Sequence, residues 1–150
     1  MIISLAASLA LQAPAMVDPA DPSTVISVLQ ERGYRTEMSE DGAGDPMVLS
    51  SDSGINFAVI FYGCEANANC KTLQLAATYG FEKGKRPGAN VLHEFDRAHR
   101  YTRTYLDEDG DPWIEMDVQV KDGPIERAEF DEALDIFLSN NGRFLELIDF

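Results

Sequence analysis

The sequence predicts an α+β domain: an antiparallel sheet of about five to six strands covered by helices, in the order α-β-β-β-β-α-β-β-α. Three observations predict it. Apolar runs of strand length, alternating or continuous, fill Tyr34 to Phe81 and are broken by clusters of Gly, Pro, Asp and Ser. Segments with 3.6-residue apolar spacing lie before, within and after the strands. Connections are short, so consecutive strands form a meander instead of parallel crossovers. With 150 residues, 45% hydrophobic and 25% charged, the chain has the size and composition of one domain around one core.

The elements follow in order. Asp21-Pro22 supplies an N-cap and a proline at the first helical position. Val25, Ile26 and Leu29 give the apolar stripe of a helix over Pro22 to Arg32, and Gly33 stops it. Tyr34 to Glu40 alternates like a half-buried strand. The turn from Asp41 to Pro46 leads to a second strand, Met47 to Ser51. Ile55 to Tyr62 is apolar at nearly every position and reads as a central strand covered on both faces. Thr72 to Phe81 places Leu73, Leu75, Ala77, Tyr79 and Phe81 on one side.

After the basic loop Glu82 to Ala89, a helix over Asn90 to Arg100 turns Val91, Leu92, Phe95 and Ala98 inward. His99 falls on that side and reads as a hydrogen-bonded histidine at the core edge. Tyr101 to Asp107 and Pro112 to Lys121 flank an Asp-Gly turn and form a hairpin. Whether Arg103 faces the acids of the second strand depends on loop parity. Phe130, Leu134, Phe137, Leu138, Phe144, Leu145 and Ile148 carry a last helix from Glu126 or Arg127 to the end. The sequence leaves open whether Asn140-Asn141-Gly142 bends or breaks it. No repeat, coiled-coil seam or low-complexity tract is evident.

A formal charge of -14 excludes general nucleic-acid binding and docking on anionic lipid, since both need excess Lys and Arg. The charge is uneven: Lys83 to Arg103 holds six basic residues against two acidic ones. Within it, His93, Arg97 and Arg100 form a polar stripe at helical spacing. With Arg103 and the single Trp113 they make up the candidate interaction surface, because Trp beside Arg is the composition of an interface anchor.

The first residues read as an export signal. Ile2 to Leu11 is an apolar run of signal-peptide length, too short to span a bilayer. Ala13-Pro14-Ala15 puts small residues at the two positions that a signal peptidase reads, so cleavage is expected after Ala15. No Lys or Arg precedes the run; either the amino-terminal charge suffices or the true start lies upstream. The expected organisation is a signal peptide over 1–15, a lead-in over 16–21 and one domain over 22–150. The mature protein is then periplasmic or secreted, with no stable membrane anchor. In an oxidising compartment Cys64 and Cys70, spaced C-x5-C, are expected to form a structural disulfide. So short a loop stabilises by roughly 2–2.5 kcal/mol.

Catalytic chemistry finds no pattern. Ser50-Ser51-Asp52-Ser53 lacks a G-x-S-x-G elbow, and neither a G-x-G-x-x-G nor a Walker-type loop is present. The cysteines are not C-x-x-C, and no histidine stands near them to complete a zinc site. Asp107 to Asp111 invites a calcium reading, but its Gly stands fourth instead of sixth and Val118 occupies the twelfth position. No catalytic, metal or cofactor-binding residue is assigned, and no enzyme activity is expected.

With these elements placed, the sequence resembles the YbjN-like family of small bacterial sensory transduction regulators. The residues that carry the resemblance are Asp45-Pro46-Met47 before Gly54-Ile55-Asn56-Phe57, then Phe61-Tyr62-Gly63-Cys64 with Cys70 and Leu73-Gln74-Leu75. Phe95-Asp96-Arg97, His99-Arg100-Tyr101 and Tyr105 through Pro112 add the longest part, and Phe130 to Phe144 fits as well. The chain departs from the commoner Asn-x-Trp-Asn pattern, having His93-Glu94-Phe95-Asp96. The resemblance implies a fold similar to type III secretion chaperones, often dimeric, with no catalytic residue and no cofactor. The expected function is a non-catalytic envelope protein that binds a protein or peptide partner or regulates through one, with a homodimer as a further expectation. The alternative is a small-molecule or cation sensor.

Overall fold

Three helices lie on one side of a six-stranded antiparallel sheet in the computed structural model, which describes residues 15–118 and 122–150. Most of the expected signal segment, and Gln119 to Lys121 of the last expected strand, fall outside the described residues. The chain begins with a two-residue strand β1 (Met16–Val17), so part of the stretch read as a lead-in is a strand of the fold. Helix α1 (Pro22–Glu31) follows, its N-terminus capped by the Asp21 carboxylate, which accepts from the Ser23 amide at 3.0 Å. Gly33 follows it at a φ of 85°.

The meander is β2 (Arg35–Glu40), β3 (Pro46–Asp52), β4 (Ile55–Tyr62) and β5 (Thr72–Thr78). Helix α2 (Ala89–Ala98), strands β6 (Arg103–Leu106), β7 (Pro112–Asp117) and β8 (Ile125–Glu126), and helix α3 (Arg127–Ile148) complete the chain. The sheet order is β2-β3-β4-β5-β7-β6, all neighbours antiparallel, while β1 pairs with β8 in a separate two-stranded sheet. The predicted class and element order are therefore observed. Among the described residues no helix is long and apolar enough to cross a membrane.

Burial explains the layering. The core holds Val48, Phe57, Val59, Phe61, Leu73, Leu75, Ala77, Ile114 and Met116 from one face of the sheet. Against them pack Val25, Val28 and Leu29 of α1, Leu92 and Phe95 of α2, and Phe130, Leu134, Phe137 and Phe144 of α3. Helix α3 is continuous through Asn140-Asn141-Gly142, which answers the question the sequence left open. Both asparagines are buried with distant partners: Asn140 donates to the Arg100 carbonyl at 2.9 Å, and Asn141 accepts from the Tyr79 hydroxyl at 2.6 Å. Their side chains are thus engaged elsewhere and do not compete with the helix's own backbone bonds.

Turning the sheet by half a revolution about its normal, between β4 and β5, carries β2, β3 and β4 onto β6, β7 and β5 in position and direction. The two hairpin tips, Asp41 to Pro46 and Asp107 to Pro112, share the pattern D-x-x-G-D-P. They also share their bonding. The first Asp accepts the backbone amides two and four residues on, through Ala43 and Asp45 in one tip and Asp109 and Asp111 in the other. Gly44 and Gly110 both take a φ of 85°, a conformation in which a Cβ would be strained. The second Asp of each tip holds a neighbouring loop. Asp45 accepts from Asn67 in the β4–β5 loop at 3.0 Å, and Asp111 accepts from Arg86 in the β5–α2 loop at 2.9 Å.

Candidate functional site

Among the described residues, no helix lies on the opposite face of the sheet. Register places Glu37, Leu49, Ala58, Ala76, Glu115 and Arg103 in one row across all six strands. Ser39, Met47, Ile60, Gln74 and Asp117 form the next row. None of these side chains belongs to the core cluster. Central strand β4 was expected to be covered on both faces, and the structure corrects this. Asn56 and Tyr62 are exposed on the bare face, and Ile60 is shielded although no helix packs on this face. A cavity of about 720 Å³ lies on the apolar half of this face, with Met47, Leu49, Ala58, Ile60, Ala76 and Trp113 in its wall.

The other half is polar and tightly bonded. Arg103 settles its parity by pairing with Glu115 in the register of β6 on β7. Its guanidinium reaches Glu115 Oε2 at 2.7 Å and Asp117 Oδ2 at 3.0 Å. Gln74 Nε2 donates to Asp117 Oδ1 at 2.8 Å, and the Tyr62 hydroxyl stands 3.4 Å from Gln74 Oε1. Tyr105 donates to Glu115 Oε1 at 2.7 Å. Burial, and then the hydrogen bond to Glu115, push the Tyr105 phenol up, so it stays a donor across the physiological range. The network leaves Gln74 only 4% exposed and Glu115 only 7% exposed, although no helix covers them.

Trp113 is half-buried, parallel to the Tyr105 ring at 6.1 Å, and its indole N–H donates to Asp107 Oδ2 at 3.0 Å. That bond, with the amides of the turn, holds the Asp107 carboxyl below its ordinary value. Both Asp107 oxygens are therefore accepting within the hairpin tip. Among the described residues no three His, Cys, Asp or Glu side chains are placed to hold a metal ion.

The five residues of the expected surface fall into two groups. Arg103 and Trp113 stand on the bare face, while His93 and Arg97 are exposed on α2, whose Leu92 and Phe95 are buried in the core, and Arg100 is exposed just after its end. Arg97 and Arg100 form no ion pair among the described residues, whereas Arg86 and Arg103 do. His99 has the expected core-edge role: its Nδ1 lies 3.0 Å from the Phe95 carbonyl and its ring stacks on Phe95. Cys64 and Cys70 are joined by a disulfide. Sequence reasoning missed Tyr62, Gln74, Tyr105, Glu115 and Asp117 as one network. The alternation of β7 held part of the signal, but the pairing partners are set by register.

Among the described residues, the domain is α+β, its six-stranded sheet covered by helices on one face and mixed apolar and polar on the other. The chain belongs to the YbjN family, whose description is "putative bacterial sensory transduction regulator" and whose family model matches residues 21–150. That description is of a regulator and not of an enzyme. No curated protein and no solved structure matches the chain.

Proposed function

We propose that this protein is an exported, non-catalytic regulatory module of the bacterial envelope that holds an apolar stretch of a protein or peptide partner against the bare face of its sheet. The observation that carries this reading is the face itself. Exposed Leu49 and the cavity of about 720 Å³ offer apolar surface, and charges of both signs stand at the two edges. Arg35 and Glu37 lie along β2, and Arg103, Glu115 and Asp117 along β6 and β7. Apolar floor with a charged rim is the anatomy of a protein-binding patch. Arg97 on α2 and Arg100 just after it, without an ion pair among the described residues, give the partner a second, electrostatic contact.

Export is supported by the apolar Ile2 to Leu11, by the small residues Ala13 and Ala15, and by the Cys64–Cys70 disulfide. The mass of protein recovered from the envelope tests it: a chain beginning at Met16 is expected, and an intact Met1 there refutes cleavage.

Partner binding is tested by placing a photo-activatable residue at position 49, with position 146 on α3 as the control, in cells of the source bacterium. A discrete adduct from 49 and none from 146 is expected. Arg97→Glu with Arg100→Glu should weaken that adduct without shifting the urea midpoint. No adduct, or equal adducts from both positions, refutes the reading. An adduct of twice the chain mass would instead place a second copy on this face. A second reading, a small-molecule sensor, is favoured by the cavity volume, which falls in the range of ligand pockets. A thermal-shift screen separates the two, since a small ligand raises Tm by mass action.

A further inference from the structure

Tyr101 follows α2 with a φ of 75°, a left-handed conformation that is costly for a residue with a bulky side chain. It is also the most exposed of the large hydrophobic side chains, at 69%. The residues on both sides of it are held by a single side chain. Asn140, buried in the middle of α3, donates from Nδ2 to the Arg100 carbonyl at 2.9 Å and to Thr102 Oγ1 at 3.1 Å. A buried polar residue in a helix is thus used to fix a strained turn whose product is an aromatic ring held out from the surface. Within the isolated chain that ring packs on little, so the strain points to a contact outside it.

Tyr101 forms one wall of a groove of about 710 Å³ whose floor includes Met16, Met116, Ile125 and Ile136. Unbranched methionines suit such a floor, because they repack around different apolar side chains. Exposed Glu126, Glu129 and Glu132 line the groove, and among the described residues no Lys, Arg or His does. Arg127, adjacent in sequence, is drawn off into ion pairs with Glu31 and Asp131. The groove's described residues are therefore apolar below and anionic at the rim.

We propose that this groove, distinct in its residues from the bare sheet face, docks an apolar segment flanked by Lys or Arg from another protein. Tyr101 is the aromatic anchor, and Glu126, Glu129 and Glu132 take the flanking cations. The complementarity is specific in sign: an acidic amphipathic segment of the same apolar content is rejected.

The test uses the full chain and two short fluorescent amphipathic peptides, one of Leu and Lys and one of Leu and Glu, read by anisotropy at physiological salt. The Leu/Lys peptide binds and the Leu/Glu peptide does not. Tyr101→Ala weakens binding by about tenfold, the loss expected for an interface anchor. Glu129→Lys with Glu132→Lys weakens it by about tenfold or more, whereas Glu146→Lys with Asp149→Lys, an equal change of charge elsewhere, leaves it within about twofold. The proposal is overturned by three results: equal binding of both peptides, equal losses in the two charge-changed variants, or no binding. It is also overturned if the chain dimerises and Tyr101→Ala abolishes the dimer, because the groove then belongs to a second copy.

Discussion

Asn141 has no exposed surface, and its two polar ends fare differently. Oδ1 accepts from the Tyr79 hydroxyl at 2.6 Å, while Nδ2 is buried with no partner among the described residues. Tyr79→Phe removes the donor and leaves both ends of the amide unpaired. An orphaned buried polar group costs about 1–3 kcal/mol, so a loss of about 1.5 kcal/mol of stability is expected. For a domain of this size that lowers Tm by roughly 3–6 °C. Asn141→Leu orphans the Tyr79 hydroxyl instead, in a residue only 6% exposed. The double variant carries neither polar group. It should be at least as stable as the natural protein, giving a coupling of about 1–2 kcal/mol in the double-mutant cycle. Urea unfolding followed by Trp113 fluorescence measures all four proteins. Full stability of Tyr79→Phe, or a double variant weaker than either single one, would refute the reasoning.

Three further outcomes are expected. Burial pushes the Tyr79 phenol up to about 12. Because the folded pKa lies above the unfolded one, this stabilisation is complete below about pH 10 and is lost as pH rises through about 12. The urea midpoint should fall over that window, and fall less in Tyr79→Phe. Arg103→Ala leaves Glu115 bonded to Tyr105 but without its cation, and should cost about 1 kcal/mol, since the arginine end of the pair is solvated. Matching urea midpoints for Arg103→Ala and the natural protein would count against it. Cys64→Ser with Cys70→Ser should cost roughly 2–2.5 kcal/mol, and a reductant should bring the natural protein to the same midpoint.

Much of the fold was legible because local chemistry and the final structure agree. The Asp21-Pro22 start of α1, the alternation of Leu73, Leu75 and Ala77, and the Asp-Gly tip of the β6–β7 hairpin each act within a few residues. The unread parts depend on distance in sequence. An apolar run such as Ile55 to Tyr62 looks the same whether its second face meets a helix or only neighbouring strands. Asn140 and Asn141 left the course of α3 open, because their partners at Arg100, Thr102 and Tyr79 lie tens of residues away. The five-residue tip from Asp107 to Asp111 fixes which way Arg103 points, and its length could not be counted before its hydrogen bonds were known. At the candidate site, Arg103 and Trp113 were visible as composition, whereas the network binding Glu115, Asp117 and Gln74 is a product of register.

The pairing of β1 with β8 bears on when the protein can fold. Met16 and Val17 find their strand partners only at Glu126 and Ile125, and Arg32 at the end of α1 finds its ion-pair partners only at Asp131 and Asp135. A chain delivered from its N-terminus onward therefore carries its first strand and first helix without their final partners until nearly nine-tenths of it has emerged. Contacts so remote in sequence are also closed late, because loop entropy must be met before they contribute. Completion of the fold is thus tied to delivery of the segment through Asp135, which keeps the first strand and helix open to rearrangement until then.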